Sequence, residues 1–120
     1  MRLREKLRTR EEFQAKADML ALLVVGATEI QARPINDVVE MNRRAAEYAD
    51  WYALAMRQIG EALPAAELLQ FRTVAPESGD IPGHPLDTRE RHLRTVLAGR
   101  IGKLRTMTGR YQNYAATGNG

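Results

Sequence analysis

"RHLRTVLAGRIGKLRTMTGRYQNYA", residues 91–115, carries six Lys or Arg and no Asp or Glu. With Leu93 at zero on a helical wheel, Leu97, Ile101, Leu104, Met107, Tyr111 and Tyr114 all fall within about 80° of it. That pattern predicts a long helix whose apolar stripe is core. Arg91, Arg94 and Arg105 lie on one flank of the stripe, and Lys103 and Arg110 on the other. Arg100 falls inside the stripe. A buried arginine needs a partner, and Glu40, Glu47 and Asp50 are the acids to hand. The plainer expectation is that Arg100 snorkels out at the seam edge; the sharper one is an ion pair, within the fold or across an interface.

Working outward, "DTRE" places Asp87 at the N-cap and Glu90 three residues on, a capping box that starts the basic helix at 88. The helix is expected to end near Tyr114, and the tail "AATGNG" has no evident reason to order. Before it, residues 74–87, "VAPESGDIPGHPLD", hold three prolines and two glycines and read as a long loop. Pro64 ends an earlier helix and opens a short one over 65–72. A second long helix is predicted over 37–63, with Asp37 and Glu40 forming another capping box. Its stripe is Val38, Met41, Ala45, Tyr48, Tyr52, Ala55, Ile59 and Leu63, with Trp51 to one side.

The first helix is expected over 1–33, with Leu3, Leu7, Phe13, Ala17, Leu20, Val24 and Ala27 at helical spacing. Arg33 ends it, because the residue before Pro34 is pushed out of helical geometry. "MLALLVVGA", Met19–Ala27, is the longest apolar run. It reads as a buried helical centre, with Gly26 admitting a close neighbour. The fold class is therefore all-α: a small antiparallel bundle of three long helices plus a short fourth, with a long Pro/Gly loop before the last. The 120 residues make one helical domain, residues 1–120.

The charge is polarised. Residues 2–16 carry net +3, residues 17–87 net −6, and residues 88–114 net +6. Basic ends would meet the acidic middle of the same chain, a second copy, or a polyanion. Arg91, Arg94, Lys103, Arg105 and Arg110 are the candidate contacts for nucleic acid or an acidic partner. Arg100 is the candidate for an interface or a buried ion pair. Gly99, Gly102 and Gly109 each weaken their helix by about 1 kcal/mol relative to alanine, which points to an interface on it.

Catalytic signals are absent. Ser78 is the only serine, and it sits in the Pro/Gly loop with no histidine at a motif spacing. His84 and His92 make no metal-binding pattern, and there is no cysteine. "GRIGKL" has two residues between its glycines where a phosphate loop wants four, and Leu104 in place of the hydroxyl. No enzyme activity, cofactor, metal or small-molecule substrate is expected. The charged start, "MRLREKLRTREEF", lacks the apolar stretch of a secretory signal, and nine apolar residues cannot cross a bilayer. A cytoplasmic protein, or one housed within a virion or other assembly, is the expectation.

The leading reading is a non-enzymatic structural or adaptor subunit of a larger assembly, of the phage or virion type, with a protein partner or self-assembly. The alternative is a nucleic-acid-binding subunit that contacts phosphates through the basic helix. A second alternative is a small protein inhibitor of a host factor that docks through loop 74–87.

Overall fold

The computed structural model describes residues 3–73 and 86–118, with side chains from Thr9 onward. Four helices account for almost all of them: α1 (Leu3–Ala32), α2 (Val38–Ala62), α3 (Ala65–Arg72) and α4 (Leu86–Thr117). No strand occurs among the described residues. The side chains of Leu3 and Leu7, and most of the loop expected over 74–87, lie outside them.

Local chemistry sets the helix ends. α1 stops at Ala32, two residues before Pro34, and Arg33 N–H donates to the Ile30 carbonyl (3.3 Å) in a tightened last turn. Asp37 caps α2 by accepting from Glu40 N–H (2.8 Å). Glu40 reaches back, but to Asn36 N–H (3.0 Å), so the capping box closes one residue earlier than its usual form. Leu63, extended before Pro64, ends α2, and α3 starts behind the proline.

The ends of α4 differ from the sequence expectation. The helix begins at Leu86, so Asp87 is a first-turn acid rather than the N-cap. There its charge still favours the positive end of the helix dipole. Glu90 does not close a box; it turns to Arg94, one turn on. The helix also runs past Tyr114, because Ala115 and Ala116 are good helix formers. It stops at Gly118, whose φ of +74° and N–H bond to the Tyr114 carbonyl (2.7 Å) form a left-handed glycine cap. The tail therefore has a structural reason to order as far as residue 118.

α1 and α4 share the most extensive packing. Phe13 near the start of α1 meets Tyr111 and Tyr114 near the end of α4. At the opposite end, Gln31 donates to the Arg94 carbonyl (3.2 Å). The α4 stripe supplies Leu93, Leu97, Ile101, Leu104, Met107 and Tyr111 to the core. α1 answers with Ala17, Leu20, Leu23, Ala27 and Ile30, and α2 with Met41, Ala55 and Ile59.

Four side chains depart from their expected places. Trp51 is not off to one side: it is buried, and its indole N–H donates to the Leu23 carbonyl (2.9 Å). Val38, expected in the α2 stripe, is exposed, while Met41 in the same turn is buried. The apolar centre of α1 is not buried all round, since Leu22 and Val25 are 71% and 52% exposed. α4 and α2 cover two faces of that turn and leave a third open.

Gly26 is where Trp51 comes close. A Cβ there would lie 3.2 Å from Trp51 Cδ1. The ring is pinned by its hydrogen bond and by Phe71 and Tyr48, so it has little freedom to yield. A Cβ on Gly102 would meet nothing within 4 Å. The two glycines should therefore respond oppositely to alanine. In urea unfolding, Gly102→Ala is expected to stabilise by about 1 kcal/mol from helix propensity alone. Gly26→Ala is expected to lose that gain and destabilise, by about 1 kcal/mol or more.

Candidate interaction surface of the basic helix

Three of the six cations in residues 91–115 are committed inward. Arg100 is the deepest, 8% exposed within the stripe. Its Nε donates to the Tyr48 hydroxyl (2.7 Å) and its Nη1 to the Phe71 carbonyl (2.8 Å). The guanidinium lies over the Tyr52 ring, 4.2 Å from its centroid, and near the Phe71 ring at 5.3 Å. Neither the snorkelled position nor an ion pair within the fold describes it, since among the described residues no carboxylate pairs with it. Its positive charge is met by the carbonyl end of α3, a hydroxyl and two aromatic faces.

Arg94 closes the end of α1. Nη1 donates to the Gln31 carbonyl (2.5 Å) and Nη2 to the Arg33 carbonyl (3.1 Å), while Nε meets Glu90 (2.9 Å). The last carbonyls of a helix lack partners within it and sit at its negative end. A guanidinium from a neighbouring helix supplies both donors and charge. Arg110 pairs with Glu67 of α3 at 2.5 Å, and Glu67 is buried. That hydrogen bond raises the Arg110 pKa, so its charge is held more firmly still.

The remaining three do not form one patch with these. Arg91 and Arg105 are exposed, on one side of α4. Lys103 is half-buried on the other flank. The surface of five cations expected from the sequence is thus divided: Arg94 and Arg110 are structural, and Arg91, Lys103 and Arg105 are left for other contacts.

The acids named as partners for Arg100 go elsewhere. Glu47 binds Arg33 (2.6 Å) and sits 2.9 Å from Arg44 Nη1, an ion-pair distance without hydrogen-bond alignment. Glu40 serves the α2 cap, and Asp50 is exposed. Sequence reasoning missed the buried Arg44, the buried Glu67 and the Tyr48 hydroxyl. Tyr48 was visible as a stripe residue four positions before Tyr52. Glu67 gave no signal, because its partner lies 43 residues away and depends on where α3 docks.

Among the described residues, no group of three or more His, Asp or Glu is placed to hold a metal ion. No described helix is long and apolar enough to cross a membrane. Ser78 and His84 lie outside the described residues, and His92 is half-buried at the start of α4. No protein-family model, curated protein or solved structure matches the chain.

Two measurements check this account. Tyr48→Phe removes the Nε acceptor of Arg100 and is expected to cost about 1–3 kcal/mol in urea unfolding. Arg100→Ala, which also leaves the Phe71 carbonyl unpaired and a cavity behind, should cost more, about 2–4 kcal/mol. Arg100→Lys should not restore the wild type, since an ammonium cannot stack and bond in the same fork geometry.

The second measurement uses pH. Burial, aided by the Glu67 carboxylate, pushes the Tyr111 hydroxyl up to about 12. The unfolded chain loses that proton near pH 10. Between pH 10 and 12 the folded state holds more protons than the unfolded one, so stability falls as pH rises through that window. Burial also raises Tyr48, against a lowering by Arg100, and adds to the fall. Tyr111→Phe should flatten the alkaline decline in unfolding free energy while leaving the neutral pH dependence unchanged.

Proposed function

We propose that the chain is a non-enzymatic structural or adaptor subunit of a larger assembly, of the kind found in phage particles and virions. Its architecture in this reading is a small antiparallel bundle of three long helices with a short fourth, joined by the Pro/Gly loop to the basic helix. One observation carries the reading: half of the six cations that make residues 91–115 look like a polyanion grip hold the protein's own helices together. Arg94 closes α1, Arg100 joins α2 and α3 to α4, and Arg110 ties down α3. Such a protein works through its surfaces, meeting a protein partner or further copies of itself in the cytoplasm or within a particle. No catalytic step, cofactor or small-molecule substrate belongs to it.

The exposure of Arg91 and Arg105 on one side of α4 favours a second reading, contact with a phosphate backbone. Binding of the purified chain to a generic duplex and a generic single strand across a salt series separates the two. The subunit reading expects weak binding, with a shallow slope of log K against log salt of about 3 or less for the cations α4 leaves free. Tight binding with a steeper slope, weakened by Arg91→Glu and Arg105→Glu, would replace it with the nucleic-acid reading.

A further inference from the structure

The third face of α1 is built for burial and has no cover. A helix that is apolar all round normally lies inside a protein, and Met19–Val25 is such a stretch. Leu22 and Val25 nevertheless stand 71% and 52% exposed. Asp18 and Glu29 share their face, so positions 18, 22, 25 and 29 form a seam at spacings of four, three and four: acid, leucine, valine, acid.

α4 shows a second outward seam of the same spacing: Arg91, Thr95, Ala98, Gly102, Arg105 and Gly109, all exposed. It is basic where the α1 seam is acidic, and small where the α1 seam is large. A Cβ on Gly102 or Gly109 would meet nothing within 4 Å among the described residues, so neither glycine makes room for a described neighbouring helix of this fold. The α4 seam and the flank of α1 next to its seam border one shallow groove of about 180 Å³. Arg105 and Gly109 line its α4 wall; Ala21 and Val24, chain neighbours of Leu22 and Val25, line the other. Among the described residues, Asp18, Glu29, Arg91 and Arg105 form no ion pair.

A surface that carries both halves of a complementary pair side by side fits a second copy of itself. Under a two-fold rotation each half meets the other, which is the form of an isologous interface. We propose that this face is a homodimer interface. The α1 seam of each copy docks on the α4 seam of the other. Leu22 and Val25 sit over Ala98 and Gly102, and Asp18 and Glu29 face Arg91 and Arg105. Along the helices the two acids are about 16 Å apart and the two arginines about 21 Å, a difference that arginine side chains span. Pairing α1 on α1 would set acid against acid, so charge selects the crossed arrangement. This rests on the subunit reading and names its first partner.

Sedimentation velocity on the full chain, from low to high micromolar concentration, tests it. The wild type is expected to pass from one chain mass to two. Gly102→Leu places a side chain in open space, so the monomer should keep its thermal midpoint or raise it, while dimerisation weakens about tenfold or more by blocking close approach. Arg91→Glu with Arg105→Glu should also weaken it about tenfold, more at low salt. Adding Asp18→Arg and Glu29→Arg to that pair should restore it, which no loss of folding would do. A wild type that stays monomeric across the range overturns the proposal. So does a dimer indifferent to both Gly102→Leu and the charge reversal. A monomer that binds no polyanion leaves the subunit reading standing without this interface. A dimer with steep salt-dependent duplex binding keeps the interface and removes that reading.

Discussion

One buried guanidinium holds the arrangement of the helices in place. Arg100 reaches from α4 to a hydroxyl on α2 and a carbonyl at the end of α3, and its plane rests on rings from both. Taking a cation out of water is costly unless its donors and charge are answered. Among the described residues, nothing answers it as a full negative charge. Partial charges do so: the carbonyl end of a helix, a phenol oxygen and the negative faces of two aromatic rings. Each of these points the right way only when α2 and α3 are docked. The cost of burying Arg100 is therefore offset only in the assembled fold, which makes the residue a strong selector of that assembly over looser packings of the same apolar stripes.

This explains how an eight-residue helix keeps its place. α3 is too short to be stable by itself. It is fixed at its last turn by Arg100 through the Phe71 carbonyl and at its first by Arg110 through Glu67. Between those two bonds the Phe71 ring, fully buried, packs against Trp51 and Tyr52. Trp51 in turn bonds to the α1 backbone over Gly26. A continuous line of contacts thus runs from α4 through α3 and α2 to α1.

The helices were legible in the sequence because their signals are local. Proline at 34 and 64, aspartate at 37 and the periodic stripe of 93–114 each act within a few residues, and an all-helical chain follows from them. The direction taken by each charged side chain was not legible. Arg94 and Arg105 sit on the same flank of one wheel, yet Arg94 closes α1 and Arg105 faces outward. The difference is that Arg94 is level with the end of α1, a fact set by how the two helices are offset. Trp51 differs for a similar reason, since the periodicity of α2 alone does not show that Gly26 of α1 leaves room for an indole beside the stripe. Sequence periodicity gives the face a residue is on; the depth along the neighbouring helix decides what it touches.

The absence of acids from residues 91–115 then has a physical source. A basic helix whose acidic i±4 neighbours, Glu90 among them, are confined to its start looks unpaired only if side-chain carboxylates are the partners counted. Three of its cations take their electrons from elsewhere: the carbonyl ends of α1 and α3, a tyrosine oxygen, and a carboxylate that α3 brings in from 43 residues away. Acids on α4 itself would compete for the same guanidiniums and pull them back along their own helix, as Glu90 does with one nitrogen of Arg94. A one-sided charge keeps the arginines free to reach across. The same property leaves Arg91 and Arg105 without an ion-pair partner among the described residues on the outer face, beside an acidic seam of equal spacing on α1. The charge pattern that directs the inner contacts of the bundle thus also determines what its outer surface is fit to meet.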